Sequence, residues 1–320
     1  MPPLYAISVF VRIVEAKSLT EAAKRLGISP AAASKNLSRL EEKLRVRLVN
    51  RTTRKLSLTD DGAVFFERCR HILAEFEDAE TMLTHRQTAP RGRLRVQMPV
   101  GFGHSVMVPL LVQFAELYNE LTINVEFSNR VVDLAEEGVD VVVWNGERRD
   151  SSLVAKRLCD IHYVTVASPK YLERFGEPRT PEDLRHHKCL GYYVPHINRC
   201  REWNFVCDGQ PLTQEISGGL NMNNGAALLD AAIRGVGIAR VAMFLAADAV
   251  RTGQLRVVLR DFISPGPTVW AGYLARPHLS PRIRTFVDFL TAAVPAQVST
   301  GLTLASKAKA FTLERLTDKD

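Results

Sequence analysis

Two short stretches near the start of the chain carry side chains that could bind nucleic acid. Residues 29–39 combine small hydroxyl side chains with Lys35 and Arg39, and residues 51–54 read Arg-Thr-Thr-Arg. Cations of this kind neutralise phosphates, and serine and arginine side chains also hydrogen-bond to base edges. The candidate DNA contacts, including one from the preceding helix, are Thr20, Ser29, Pro30, Ala31, Ser34, Lys35, Ser38, Arg39, Arg51, Thr52, Thr53 and Arg54.

The charge distribution supports a polyanionic partner for this part of the chain. Among the 320 residues, the 42 Lys and Arg exceed the 35 Asp and Glu by seven. Residues 1–60 hold 12 Lys and Arg against five Asp and Glu, so they carry the whole excess. A basic terminal module on a neutral remainder is typical of a protein that binds DNA through one end.

Three predicted helices and a hairpin position these side chains. Apolar residues spaced three and four apart predict a first helix over residues 4–16. Ser18 predicts the cap of a second helix, Gly27 predicts its end, and Ser29-Pro30 predicts the start of a third. The expected segments are a DNA-binding domain at 1–59, containing a helix-turn-helix at 19–38 and a β wing at 46–58.

A long helix is predicted to follow over residues 60–88. Its apolar residues recur close to every seventh position, a period typical of helices that pack side by side. We expect a symmetric partner to cover this stripe, and the alternative is that the helix packs on its own domain. The predicted dimer contacts are Phe65, Cys69, Ile72, Phe76 and Leu83.

From residue 92 strands and helices alternate, which predicts an α/β domain with largely parallel sheets over 92–296. Predicted helices begin directly after strands at Gly101–Ser105, Ser168-Pro169 and Asn223–Gly225. Free backbone N–H groups at helix N-termini attract anions, and ligands of α/β sheets bind where strands end. We therefore expect this domain to bind a small carboxylate.

The first sixty residues resemble a known family. The run from Phe10 to Leu44, followed by Arg51-Thr-Thr-Arg54 and Leu58-Thr-Asp-Asp-Gly62, is similar in order and spacing to the winged helix-turn-helix of LysR-type transcriptional regulators. Pro30 and Ala33 depart from the commonest pattern, in which glutamine and a branched aliphatic residue are frequent.

The resemblance implies the architecture of the remaining chain. It implies a linker helix that dimerises and a two-lobed α/β effector domain similar to periplasmic binding proteins. We expect the chain to cross between the lobes near Val164 and Pro267. The expected segments are lobe one at 92–163 and 267–296, lobe two at 164–266, and a loosely ordered tail at 297–320. The expected partners are operator DNA, a small-molecule effector and further copies in a homodimer or homotetramer, with RNA polymerase considered as well.

The effector is expected to bind between the lobes. Relatives often carry arginine where Trp144 stands, so an aromatic wall there would favour a flat ligand such as an aromatic acid. The alternative is that Trp144 packs inside the core of its lobe. The predicted effector contacts are Pro99, Val100, Phe102, Gly103, His104, Asn129, Trp144, Asn145, Ser168, Asn223 and Asn224.

Other classes of function find less support. The sequence shows no nucleophile elbow, phosphate loop or metal-ligand spacing, so we predict no enzyme activity, metal or cofactor. Five scattered cysteines predict no disulfide framework, and neither a signal peptide nor a membrane span is predicted, which favours the cytoplasm. Two alternatives stay open: a redox-responsive regulator using Cys200 and Cys207, and a solute-binding protein.

Overall fold

The computed structural model describes residues 3–52, 55–84, 90–147, 152–216, 218–275 and 279–298. Thr53, Arg54 and residues 299–320 lie outside these ranges. Their assignments as wing contacts and as a loosely ordered tail therefore stay predictions.

Three helices and a two-stranded wing form the N-terminal domain. They are α1 (Pro3–Ala16), α2 (Leu19–Arg25), α3 (Pro30–Leu44), β1 (Val49–Thr52) and β2 (Lys55–Leu58). The Ser18 and Ser29 hydroxyls accept the first free N–H groups of α2 and α3, from Glu21 at 3.3 Å and Ala32 at 3.1 Å. Gly27 has a φ of +66° in the turn between them, a conformation that favours glycine.

Small buried residues let the helices of this domain cross closely. Ala22, Ala23 and Ala33 are fully buried at the contact of α2 with α3, beside Phe10 and Leu37. Short side chains permit the close approach of two backbones, so α3 lies against α2 with its opposite face free. That free face carries the predicted DNA contacts.

The linker helix, α4 (Asp60–Thr84), begins where the Thr59 hydroxyl accepts the Gly62 N–H at 2.9 Å. Its apolar stripe divides between two faces. Cys69 is fully buried in the core of the N-terminal domain, and the Phe65 ring lies 5.7 Å from that of Phe10. The prediction that Cys69 forms a dimer contact is therefore wrong, because its own domain buries it completely, whereas Phe65 is only half-buried and its dimer contact stays a prediction.

Two other members of the stripe face outward. Ile72 and Phe76 are 48% and 45% exposed, and they remain available to a partner. Of Leu83 the structure describes the helical backbone but not the side chain. The apolar stripe is thus packed in the core of its own domain near the start of α4, and its later residues are exposed to solvent.

A single ten-stranded sheet underlies both lobes of the effector domain. Its strands are β3 (Gly92–Met98), β4 (Leu121–Phe127), β5 (Val141–Asn145), β6 (Leu153–Ala167), β7 (Cys189–Val194), β8 (Arg199–Cys200), β11 (Asn221–Met222), β12 (Ile238–Ala242), β13 (Arg256–Val258) and β14 (Pro265–Leu274). A separate hairpin joins β9 (Trp203–Cys207) to β10 (Gln210–Gln214). The mixed α/β class is confirmed, but the sheet is not largely parallel. Strand β6 pairs antiparallel with β12, β13 and β14, and β14 also pairs antiparallel with β5.

Helices cover the two faces of the sheet. They are α5 (Val100–Phe102), α6 (Val108–Leu117), α7 (Leu134–Glu137), α8 (Pro169–Phe175), α9 (Gly225–Ile233), α10 (Met243–Arg251) and α11 (281–298). A π-helical turn, Gly103–Met107, makes α5 and α6 continuous. The run Val100–Leu117 is long and apolar enough to cross a membrane by length and composition alone. One face of the run packs in lobe one, where the Phe114 ring lies 5.0 Å from that of Phe286 on α11, and Val108, Val112 and Leu117 are exposed on the other face.

The chain crosses between the lobes along β6 and β14. Residues 153–160 of β6 pair with β14 in lobe one, and residues 163–166 pair with β12 in lobe two. The two crossing segments touch at Gly266, where a Cβ atom would lie 1.8 Å from the carbonyl oxygen of Ile161. Only glycine allows this approach.

Charged pairs join the N-terminal domain to lobe one. Glu67 of α4 pairs with Arg95 of β3 at 3.0 Å, and Glu15 of α1 pairs with Arg93 at 3.1 Å. Arg95 also donates a hydrogen bond to the backbone oxygen of Glu137 at 3.1 Å. The linker helix is thereby connected to α7, beside the cleft between the lobes.

Candidate DNA-binding face and ligand cavity

The exposed face of α3 carries most of the predicted DNA contacts. Lys35 and Arg39 are exposed one turn apart, and neither pairs with a carboxylate among the described residues. The other members of this face that lie exposed or half-buried are Thr20, Ser29, Pro30, Ala31, Ser34 and Ser38. Two free cations among small side chains form a surface that can lie against phosphates and base edges.

The wing is fixed to α3 by a carboxylate that sequence reasoning missed. Glu41 accepts the N–H groups of Leu48 and Val49 at 2.9 and 3.1 Å, which holds the start of β1. Arg51 and Thr52 lie on β1, where the structure describes their backbone but not their side chains. No local signal distinguishes Glu41 from its neighbour Glu42, because its partners are distant in sequence.

A cavity of about 440 Å³ lies between the two lobes. Lobe one contributes the ends of β3 and β5 and the start of α5, and lobe two contributes β6, β7, β12 and α9. The Phe102 ring meets that of Phe244 across the cleft at 5.6 Å. The predicted contacts that border the cavity are Pro99, Val100, Phe102, Asn129, Trp144, Asn145, Asn223 and Asn224.

Three predicted effector contacts lie elsewhere. Gly103 is buried in the π-helical turn, within contact distance of the Phe127 ring, and His104 is exposed beside it. Ser168 is 3% exposed, and its hydroxyl accepts the Tyr171 N–H at 3.3 Å to cap α8. These residues follow strand ends as expected, but the helices they begin turn them away from the cavity.

The helix N-termini at the cavity are capped by their own asparagines. Asn129 accepts the Val100 N–H at 3.1 Å, and Asn224 accepts the N–H groups of Ala226 and Ala227 at 2.9 and 3.2 Å. Capping satisfies N–H groups that would otherwise be free. These three N–H groups are therefore already satisfied, and the expectation that the helix starts bind an anion stays a prediction for their remaining N–H groups.

The aromatic side chain expected in the cavity wall packs elsewhere. The Trp144 side chain belongs to an apolar cluster with Val142 and Leu134, and the residue is 3% exposed. Its indole N–H donates to the backbone oxygen of Glu147 at 2.9 Å. Trp144 borders the cavity but does not form an open wall there, because α7 covers the face of β5 to which its ring points.

Lobe two supplies a half-buried cation that sequence reasoning overlooked. Arg240 donates to the Ser264 hydroxyl at 2.8 Å, and its guanidinium lies 5.3 Å from the Tyr163 ring and 5.4 Å from the Phe205 ring. Burial lowers its pKa to about 10, so it stays charged at neutral pH. A signal existed: Arg240 is the lone charge within the otherwise apolar strand Ile238–Ala242.

A second arginine lies over a neighbouring ring. The Arg201 guanidinium is 5.4 Å from the Tyr192 ring, and both residues border the cavity. Arg130 also borders it, but its charge is paired with Glu126 and Glu137. Among the described residues, no Asp or Glu lines the cavity.

The cysteines differ in their surroundings. Burial raises the pKa of Cys69 and Cys159 to about 11 and that of Cys189 to about 12, so these thiols stay protonated. Cys200 and Cys207 are half-buried and free. The described part of the chain also holds no group of three His, Cys, Asp or Glu residues placed to bind a metal ion.

Comparison with known proteins assigns both parts of the chain to one family. The family model "Bacterial regulatory helix-turn-helix protein, lysR family" matches residues 4–63, and "LysR substrate binding domain" matches residues 87–295. An HTH-type transcriptional repressor of Pseudomonas aeruginosa is 34% identical over 91% of this chain and 92% of its own length. The transcriptional regulator CrgA of Neisseria meningitidis is 35% identical over 89% of this chain and 94% of its own length.

Solved structures show the same architecture over the whole chain. The structure of CrgA, a LysR-type transcriptional regulator from Neisseria meningitidis, superposes with a TM-score of 0.58 at 34% identity and covers 90% of this chain and 97% of its own. The full-length structure of the Vibrio cholerae virulence activator AphB gives 0.58 at 27% identity, covering 92% and 100%. These relatives are transcriptional regulators and not enzymes. The chain belongs to the LysR family of bacterial helix-turn-helix transcription regulators.

Proposed function

We propose that the protein binds operator DNA as a symmetric dimer in the cytoplasm and that a small molecule in the cleft controls this binding. The observation that carries the DNA part is the pair Lys35 and Arg39, exposed on one helix face without a described carboxylate partner. Contact with RNA polymerase stays a prediction.

The proposed docking places α3 in the major groove. A helix fits this groove, and side chains near its start reach the base edges. Pro30 and Ala31, both exposed, lie at this start. Arg39, one turn after Lys35, is proposed to read a base, while Lys35 and the wing arginines Arg51 and Arg54 contact phosphates. The wing then fixes the orientation of the domain on the duplex.

The proposed dimer forms along the open face of the linker helix. Ile72 and Phe76 are large apolar side chains left about half exposed, and burial against a second copy would remove them from water. A two-fold axis through this face presents two copies of α3 to two half-sites. A homotetramer would pair two such dimers.

A chain of contacts is proposed to connect ligand to DNA. Arg130 borders the cavity and pairs with Glu137, whose backbone oxygen accepts a hydrogen bond from Arg95. Arg95 pairs in turn with Glu67 on the linker helix. A ligand that binds one arrangement of the lobes better would shift the position of the linker helix through these contacts.

Operator binding of two α3 variants tests the DNA proposal. A bound DNA fragment is first selected from a random pool, and its affinity is then measured by fluorescence anisotropy at several salt concentrations. Loss of the base contact in Arg39→Ala should cost about 1–3 kcal/mol and relax the preference at one base pair. Lys35→Ala should weaken all sequences alike and reduce the salt slope by roughly one.

An exposed arginine of lobe two provides the control. Arg251 pairs with Asp248, so Arg251→Ala removes one positive charge without touching the proposed face. Its affinity should stay at the wild-type value. Wild-type affinity for both α3 variants would refute the proposed docking.

A further inference from the structure

Side-chain caps already use several of the usual anion donors of an α/β cleft in this protein. Asn129 and Asn224 cap the helices that begin at the cavity, and the hydroxyl of Ser168 caps α8 away from it. Cationic side chains at the cavity are therefore the stronger remaining donors for an anionic ligand. Three arginines border the cavity, and the carboxylates of Glu126 and Glu137 neutralise one of them, Arg130.

Arg240 stands in an environment that lacks an anion. Its described neighbours are the hydroxyl of Ser264 and the faces of the Tyr163 and Phe205 rings. Arg240 is half-buried, and a cation that loses part of its hydration without gaining a counter-charge is destabilised, which is why buried charges are normally paired. Ring faces and one hydroxyl offset only part of this cost.

We propose that Arg240 and Arg201 of lobe two are the anchor of the effector, and that the effector is a carboxylate with a flat, unsaturated body. The proposal rests on the function proposed above and specifies its ligand class. The carboxylate replaces the missing partner of Arg240, because guanidinium and carboxylate match in shape and charge. Arg201 provides a second cation on the same lobe.

Aromatic rings on the same lobe favour a flat body. Tyr163 and Tyr192 border the cavity next to the two arginines, and Phe102 and Phe244 meet across it. Flat ligands stack on or against such rings better than bulky saturated ones. A cavity of about 440 Å³ is within the range that binds small organic molecules.

Calorimetric titration with three probes tests the proposal. Benzoate is flat and anionic, benzamide has the same shape without the charge, and cyclohexanecarboxylate keeps the charge without the flat ring. The wild-type protein should bind benzoate better than either other probe. Arg240→Gln, which keeps a donor for Ser264, should weaken benzoate about 10- to 100-fold, because a charge-assisted hydrogen bond is lost. It should leave benzamide unchanged.

Two further variants keep the result interpretable. Arg201→Gln changes an exposed residue, so it should weaken benzoate without a folding defect, and Arg251→Gln should change nothing. Equal binding of benzoate and benzamide, benzoate affinity unchanged in both cavity variants, or no binding of benzoate at millimolar concentration would overturn the anion anchor. Equal binding of cyclohexanecarboxylate would overturn the flat body.

Operator affinity separates this proposal from the one on which it rests. The melting temperature of Arg240→Gln without a probe shows whether lobe two of the variant is folded, and operator affinity is measured on the wild-type protein. Normal operator binding without selective benzoate binding refutes the anchor and leaves DNA binding intact. Wild-type operator affinity of Arg39→Ala and Lys35→Ala refutes the proposed DNA contacts whatever benzoate does.

Discussion

Truncation of Phe76 on the linker helix should dissociate the proposed dimer. A phenylalanine side chain presents about 200 Å² of surface, so the 45% of Phe76 that is exposed in the protomer corresponds to about 90 Å². At about 25 cal/mol for each Å² buried, covering this area contributes about 2 kcal/mol per protomer.

The symmetry of the dimer doubles this effect. Each copy contributes one ring, so Phe76→Ala removes about 4–5 kcal/mol from the dimer. The dimer Kd should then rise about 1,000-fold, because about 1.4 kcal/mol corresponds to a factor of ten. Sedimentation equilibrium over a range of protein concentrations measures this Kd directly.

Two control variants separate the dimer surface from other apolar positions. Ile197 is also large, apolar and 54% exposed, but it lies in lobe two, so Ile197→Ala should leave the dimer Kd unchanged. Cys69→Ala changes the core of the N-terminal domain. It should lower the free energy of unfolding of this domain by more than it weakens the free energy of dimer formation. An unchanged dimer Kd for Phe76→Ala would place the interface elsewhere and refute the reasoning.

Two more predictions concern the domain junction and lobe two. Arg95→Gln removes the ion pair with Glu67, a partly exposed contact worth about 1 kcal/mol or less, and leaves the pair of Glu67 with Arg70 inside the linker helix in place. Amide hydrogen exchange in the linker helix should therefore accelerate up to about fivefold. Unchanged exchange there, or an equal acceleration there in the lobe-two variant Glu173→Gln, would argue against the link. Burial lowers the pKa of His187, so the unfolded state binds its proton first as the pH falls, and stability should decrease below about pH 6.5. Thermal unfolding from neutral to acidic pH should show this decrease reduced in His187→Gln, and an undiminished decrease would contradict it.

The N-terminal domain was the most predictable part of the fold because its signals are local. Ser18 and Ser29 cap helices within three residues, and Gly27 occupies the turn whose φ suits it. Each of these signals depends on neighbours in sequence. The wing contact of Glu41 could not be predicted in the same way, because it reaches seven and eight residues along the chain.

The cavity was harder to predict because polar residues at strand ends have two uses. Asn129 and Asn224 follow strands and border the cavity, yet their oxygens cap helices. Trp144 lies on a strand buried on both faces, so alternation alone cannot tell which face its ring takes. Arg240 was visible as a charge inside an apolar strand, a pattern that predicts a functional or a paired residue.

The linker stripe shows a third limit of sequence reasoning. A seven-residue period indicates that a helix is covered, but it does not say by what. Cys69 and Ile72 are only three positions apart, yet one is fully buried by its own domain and the other is about half exposed. The seven-residue period therefore grouped residues of two neighbouring helix faces, one buried in the domain and one exposed, into a single stripe.

The strand that runs through both lobes also has a thermodynamic consequence. Because β6 pairs with β14 in lobe one and with β12 in lobe two, neither lobe can unfold without exposing the ladder of the other. The close approach of Gly266 to Ile161 couples the two crossings further. We therefore expect the two lobes to unfold together, although each has a core of its own, as the N-terminal domain does. A ligand held by one lobe raises the melting temperature of both.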